Sequence, residues 1–201
     1  MATNATVTIG PTKGTSCQLP DLGHLFDKVS LTYMLNRCFC GGGPKDPTSH
    51  ARMVNFIRII DAVVEDYRNM RVKLEQYLST PNNQISPLFF AINYAEHCIG
   101  NLHRAIWLAD AIRRDQSGPD VHKMKLLPSL ATKTVQEFRN KLQHLDEELA
   151  KGTWKPPDTH SMMLYDDRLQ VYGKTIPYND LAQWITKLHS LSENLAQYKQ
   201  S

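Results

Sequence analysis

The sequence predicts a mostly all-α protein: an antiparallel up-down bundle of four long helices, with a small β-hairpin before the last. Three observations lead there. Four segments repeat apolar residues at steps of three and four, the period of a helix with one buried face. Short connections between long helices make them antiparallel neighbours. The chain has 201 residues, 41% hydrophobic and 21% charged, which suits one domain with a substantial core.

Residues 1–47 read as an N-terminal extension, partly disordered, with the dozen residues at its start loose. It is rich in Thr, Gly and Pro, and it closes on Cys40-Gly41-Gly42-Gly43-Pro44, a run that breaks helix and strand alike. Between Leu22 and Phe39 there is room for a short helix.

The bundle proper is assigned to residues 48–201. Its first helix starts near Thr48 or Ser49, either of which is a cap residue. Met53, Ile57, Ile60, Val64, Tyr67, Leu74 and Leu78 form its stripe, interrupted by Arg71, and Ser79-Thr80-Pro81-Asn82-Asn83 stops it. The second takes Ser86 as N-cap and Pro87 at the first helical position, where a missing N–H costs nothing. Its buried face is Leu88, Ile92, Ala95, Ile99, Leu102, Ile106 and Ala109, and Gly118-Pro119 lies beyond its end.

The third helix runs from about Ser129 to Lys151, with Gly152 as the C-terminal stop. Ala131, Val135, Phe138, Leu142, Leu145 and Leu149 are its core stripe. Arg168-Leu169-Gln170-Val171-Tyr172 then alternates polar and apolar, and Gly173-Lys174 turns toward Thr175-Ile176. That is a hairpin pattern, with Met162–Tyr165 available as a further strand. The last helix follows Pro177 and carries Leu181, Trp184, Leu188, Leu191 and Leu195.

Composition narrows the function classes. No apolar run approaches the roughly 20 residues that span a bilayer, so no membrane partner is expected. The start of the chain lacks a basic segment followed by an apolar one, so no secretory signal is read and a cytoplasmic location is expected. There Cys17, Cys38, Cys40 and Cys98 stay reduced. Cys38-x-Cys40 is half of a zinc site at most, with Cys17, His24 or His50 as the nearby ligands, so no metal or other cofactor is assigned. Gly41-Gly42-Gly43 has no following Lys-Ser/Thr and is no P-loop, and neither Gly-x-Ser-x-Gly nor His-Glu-x-x-His occurs. The net charge of +3 is too small by itself to argue for nucleic acid.

The candidate site lies on the third helix, in Phe138-Arg139-Asn140-Lys141-Leu142-Gln143-His144-Leu145-Asp146. At 100° per residue, Phe138, Leu142 and Leu145 point to the core. Asn140 and His144, four apart, face away from it, while Arg139 and Gln143 occupy the flank. A polar strip on a helix is ordinarily a solvated face. Residues 104–141 hold eight Lys or Arg against four acids, an excess that favours phosphate. Arg104, Arg113, Arg114, Lys123, Lys125 and Lys141 are its candidate RNA contacts, although Asp146-Glu147-Glu148 beside the strip opposes them. On the second helix Glu96, His97, Cys98 and His103 are either packed or solvated positions, or, for Glu96 and His103, helpers to such a site.

Arg139-Asn140-Lys141-Leu142-Gln143-His144, on a later helix of a bundle that opens with a long helix pair, resembles the Arg-polar-gap-His motif of the HEPN superfamily (higher eukaryotes and prokaryotes nucleotide-binding domains). The likeness of layout covers residues 48 to 198. It implies an RNA-binding protein and a metal-independent endoribonuclease of defence or toxin–antitoxin type, acting as a homodimer whose two motifs line one cleft, with an antitoxin or another protein as further partner. By the same resemblance Arg139 holds the scissile phosphate, His144 transfers the proton, and Asn140 orients His144 or the phosphate. Two alternatives stand beside it: a non-catalytic interaction or dimerisation module, and a small-ligand or nucleotide-binding bundle.

Overall fold

The computed structural model describes residues 10–12, 14–25, 27–80, 84–115, 127–153, 162–171 and 173–198, without the side chains of 145 and 146. The chain runs through a 3-10 turn at Gly23–Leu25, then α1 (Val29–Cys40), α2 (Pro47–Ser79), α3 (Ser86–Arg113) and α4 (Ser129–Lys151). Strands β1 (Met163–Leu164), β2 (Arg168–Val171) and β3 (Lys174–Pro177) lead into α5 (Tyr178–Ala196). The four long helices of the sequence are α2 to α5, and the short helix before them is α1. The segments read at residues 1–9, Pro81-Asn82-Asn83, Gly118-Pro119 and Tyr172 lie outside the described residues.

The α2–α3 pair is the centre of the fold. Its contacts run in opposite senses along the two helices: Arg52 with Asp115, Asp66 with Asn101, Lys73 with Phe90. All seven stripe residues expected on α2 and all seven on α3 are buried. Small residues on α3, among them Ala91, Ala95, Cys98, Ala105 and Ala109, are also buried and let the two backbones approach. The Cys98 thiol sits against the Val63 carbonyl at 3.8 Å, and burial raises its pKa well above that of a free thiol.

Two helix starts differ from the sequence reading by a residue or two. Asp46, rather than Thr48 or Ser49, caps α2: its carboxylate accepts from the Ser49 N–H at 2.7 Å, leaving Pro47 in the first turn where no N–H is required. Ser86 is already helical, with Ile85 at the cap position and no side-chain cap bond. A third difference is larger. Among the described side chains of α4, which leave out Leu145 of the expected stripe, Ala131, Val135 and Phe138 are buried, Leu142 is half-buried and Leu149 is 54% exposed. Leu142 still packs against the core, but the surface no longer reaches Leu149 further along the expected stripe.

β1, β2 and β3 form one antiparallel sheet in sequence order. Leu169 pairs with Ile176 and Leu164 with Leu169, which puts three apolar side chains on the buried face. The Tyr178 hydroxyl donates to the Tyr165 carbonyl at 2.8 Å and fixes the sheet to the first residue of α5.

Residues 10–40 are packed onto this frame. Leu19, Leu22, Leu25, Val29 and Tyr33 join the same buried cluster as the long helices. Asp61 of α2 accepts from the Val29 and Ser30 N–H groups, both at 3.1 Å, and so caps α1 from another helix. Tyr67 donates to the Pro20 carbonyl, and Arg71 pairs with Asp21 and Glu75, which explains the one break in the α2 stripe. The glycine run ends α1: Gly41 takes the left-handed conformation of a helix stop at φ 65°. A Cβ on Gly43, at φ 93°, would come within 2.8 Å of the Tyr33 hydroxyl.

Among the described residues no helix is long and apolar enough to cross a membrane.

Candidate functional site

Phe138 and its neighbours decide where the polar strip of α4 faces. With Val135 and Phe138 fully buried against the core, Arg139 is turned toward α3 and is half-buried. It enters an open groove of about 430 Å³ between the two helices, shared with Glu96, His97, Asn101, Arg104 and Gln143. The guanidinium Nη1 lies 3.4 Å from Asn140 Oδ1, so the two neighbouring motif residues touch at one rim.

The α3 wall of the groove is ordered from behind. Asn101 donates to Asp66 of α2 at 2.9 Å, while its own oxygen faces Arg104 Nη1 at 3.5 Å. Burial holds the Asp66 carboxyl above its usual range, with the Asn101 hydrogen bond and His97 pulling it back. His103 is half-buried at the same helix junction, and burial, then the Arg139 charge, push its imidazole below its usual value. Two guanidiniums, an amide and an imidazole on one concave surface are the donor set that binds phosphate oxygens.

His144 is outside this groove. Its side chain is 62% exposed and its Nδ1 lies 3.8 Å from Glu147 Oε2, one turn further along α4. Five residues separate it from Arg139, so the two point about 140° apart around the helix. Within one chain, then, Arg139 and Asn140 are brought together and His144 is presented to the exterior.

The basic residues divide likewise. Arg104 shares the groove with Arg139, whereas Lys141 is exposed and lies outside the groove, about 160° around α4 from Arg139. Arg113 pairs with Asp110 at 3.4 Å and Arg114 donates to the Asp110 carbonyl, both at the far end of α3. Lys123 and Lys125 lie outside the described residues. Among the described residues no three His, Cys, Asp or Glu side chains gather as a metal site, and Cys17, Cys38, Cys40 and Cys98 are free thiols.

The structure adds His97 and Asn101 to the site, and Asp66 behind them. Their signal in the sequence is weak. His97, Asn101 and Arg104 recur at steps of four and three along one side of α3, but what they face depends on where α4 docks. Comparison with family models, with curated proteins and with solved structures finds no match to this chain. Its class is therefore given by its own architecture: a mostly helical, bundle-like protein with a three-stranded antiparallel sheet before its last helix.

Proposed function

We propose that this protein is an HEPN-like RNA-binding bundle and a metal-independent endoribonuclease of the defence or toxin–antitoxin kind, working as a homodimer in the cytoplasm, where its four free thiols stay reduced. The observation that carries the reading is the α3–α4 groove, in which Arg139 and Arg104 converge beside Asn101 and His97. In this scheme Arg139 binds the scissile phosphate and offsets charge developing on its oxygens. The RNA 2′-hydroxyl loses its proton to a general base and attacks the adjacent phosphorus. The bond to the 5′ oxygen breaks, leaving a 2′,3′-cyclic phosphate, and a general acid protonates the departing oxygen. His144 serves in this proton transfer, its exposure on α4 allowing a second chain to cover it and close the cleft. Asn140 positions the Arg139 guanidinium it already touches.

Incubation of purified protein with mixed RNA in EDTA tests this directly. Wild type should yield 2′,3′-cyclic phosphate ends, and Arg139→Ala and His144→Ala should each lose at least about a hundredfold of that activity. A folded, dimeric wild type that leaves the RNA intact would sink the nuclease.

A second reading, a dimerisation module, is favoured by α1. Its outer side carries Leu31, Met34, Leu35 and Phe39, exposed by 51 to 82%, with Cys38 between them. These steps of three and four form one apolar stripe of roughly 500 Å², near the top of the range for monomers. It is also more than half of the about 800 Å² each partner gives to a stable interface. The occupant that fits is a second copy, since a two-fold axis at Leu35 sets Leu31 against the partner's Phe39.

A further inference from the structure

Arg104 belongs to two grooves. Besides the one shared with Arg139, it lines a second of about 470 Å³ between α2 and α3, with Arg52, Asn55, Ile59, Trp107 and Leu108. Residues 97, 101, 104 and 108 follow one another at steps of three and four, so the two grooves adjoin along a single side of α3. From His97 to Leu108 the furrow is about 17 Å long at 1.5 Å per residue. That accommodates roughly five stacked nucleotides at 3.4 Å each.

Trp107 is the unusual member. It is 64% exposed, although an indole of this size is ordinarily well covered. Ile59, fully buried, and Leu108, half-buried, form the groove floor beside it. Two guanidiniums line the groove. Arg104 is at the junction of the two grooves. Arg58 lies next to the lining rather than in it, its Nη2 donating to Oδ1 of the lining residue Asn55 at 3.3 Å. Arg52 is held at 2.9 Å by Asp115, so its charge is offset, while Arg104 in the lining and Arg58 next to it leave this end of the furrow positive. Other exposed aromatics lack this setting: Phe90 lies under the Lys73 ammonium, and Phe39 sits on the convex outer side of α1.

An aromatic face in a positively charged channel is how proteins hold unpaired nucleotides, stacking a base while cations follow the backbone. A duplex cannot use it, because its bases are already stacked. We infer that the α2–α3 groove is a base-stacking subsite for single-stranded RNA, with Trp107 as platform, Arg104 on the adjoining phosphate, and the strand continuing past Arg104 to Arg139. The inference rests on the RNA reading of the α3–α4 groove and specifies its substrate as an unpaired segment.

Fluorescence anisotropy with a labelled twelve-nucleotide oligouridylate and a duplex of equal length, over a salt series, tests it on the full chain. Wild type should prefer the single strand. Trp107→Ala should weaken single-strand binding by about tenfold, the usual worth of one stacked base. Trp107→Phe should restore most of that loss, and neither variant should change the salt slope, since an indole neutralises no phosphate. Arg104→Ala should weaken binding and make the salt slope shallower. Melting temperatures of all variants should match wild type, because both side chains are exposed.

If Arg139→Ala weakens binding while Trp107→Ala leaves it unchanged, the stacking subsite is wrong and the RNA reading survives. Equal loss on single strand and duplex would also overturn the subsite. A wild type that binds neither RNA defeats both, and one that instead binds an acidic amphipathic peptide assigns this groove to a protein partner.

Discussion

The two flanking helices dock differently, α1 on α2 and α5, α4 on α3, and leave opposite kinds of surface. α4 is held by Ala131, Val135 and Phe138, with Leu142 packed half-buried beyond them, and further on Leu149 is 54% exposed. α1 is held by Val29, Tyr33 and the Asp61 cap, and it presents an apolar stripe outward. A polar exposed side is stable in water as it stands. An apolar one on a twelve-residue helix is a surface that gains by being covered. The difference separates the two readings proposed for the molecule: in the nuclease α4 offers charge to a nucleic acid and His144 to a second chain, and in the dimerisation module α1 offers apolar area to a second copy.

The strongest way to break this comparison is at the α4 anchor. Phe138→Ala removes a fully buried ring, and a loss of about 3–5 kcal/mol is expected by urea denaturation. Leu149→Ala on the same predicted stripe should stay within about 0.5 kcal/mol. A comparable loss at both positions would mean that the far half of α4 is covered in solution.

The corresponding test for α1 is its cap. Asp61→Ala leaves two N–H groups at the start of α1 without their acceptor, for an expected loss of about 1–2 kcal/mol. Hydrogen exchange should show the loosening at residues 30–37 well before it reaches α3. Uniform loosening would show that α1 and the central pair open as one unit.

Leu35→Glu sharpens the contrast at little cost in stability, about 0.5 kcal/mol or less, because the side chain is 51% exposed. Light scattering should find wild type dimeric and this variant monomeric if the α1 stripe is the interface. A variant that stays dimeric moves the interface to another surface.

The smallest effect belongs to His103. Its imidazole is depressed below 6.5 in the folded protein, so the unfolded chain binds the proton more readily. The associated stability is present above pH 6.5 and is lost as the pH falls through that value. A proton NMR titration should place the His103 midpoint below 6.5, and Arg139→Ala should move it only part of the way back, since burial is the larger cause. A midpoint indifferent to Arg139 would argue that the guanidinium points away from α3.

Much of this fold is legible along the chain, for a definite reason. The α2 and α3 stripes are periodic over many turns, and each helix buries what its own period marks, so pattern and packing agree. Gly152 ends α4 as its position suggests, and alternation across Gly173 makes the β2–β3 hairpin. The same reasoning misplaces Leu149, because a period reports which side of a helix is apolar and not how far its neighbour extends. It passes over residues 10–25, whose anchoring depends on single long-range bonds such as Tyr67 to Pro20 and Thr12 to Asp166.

The candidate site divides along the same line. Sequence alone determined that Arg139, Asn140 and His144 share one helix and that Phe138 sets its orientation, since both follow from a fixed 100° per residue. Only the tertiary structure decided that Arg139 shares a groove with His97, Asn101 and Arg104 while His144 faces outward, and that Arg52 and Asn55 of α2 line one groove with Trp107. Those neighbours come from separate helices, and their meeting depends on how the helices pack, which the period of no single segment encodes.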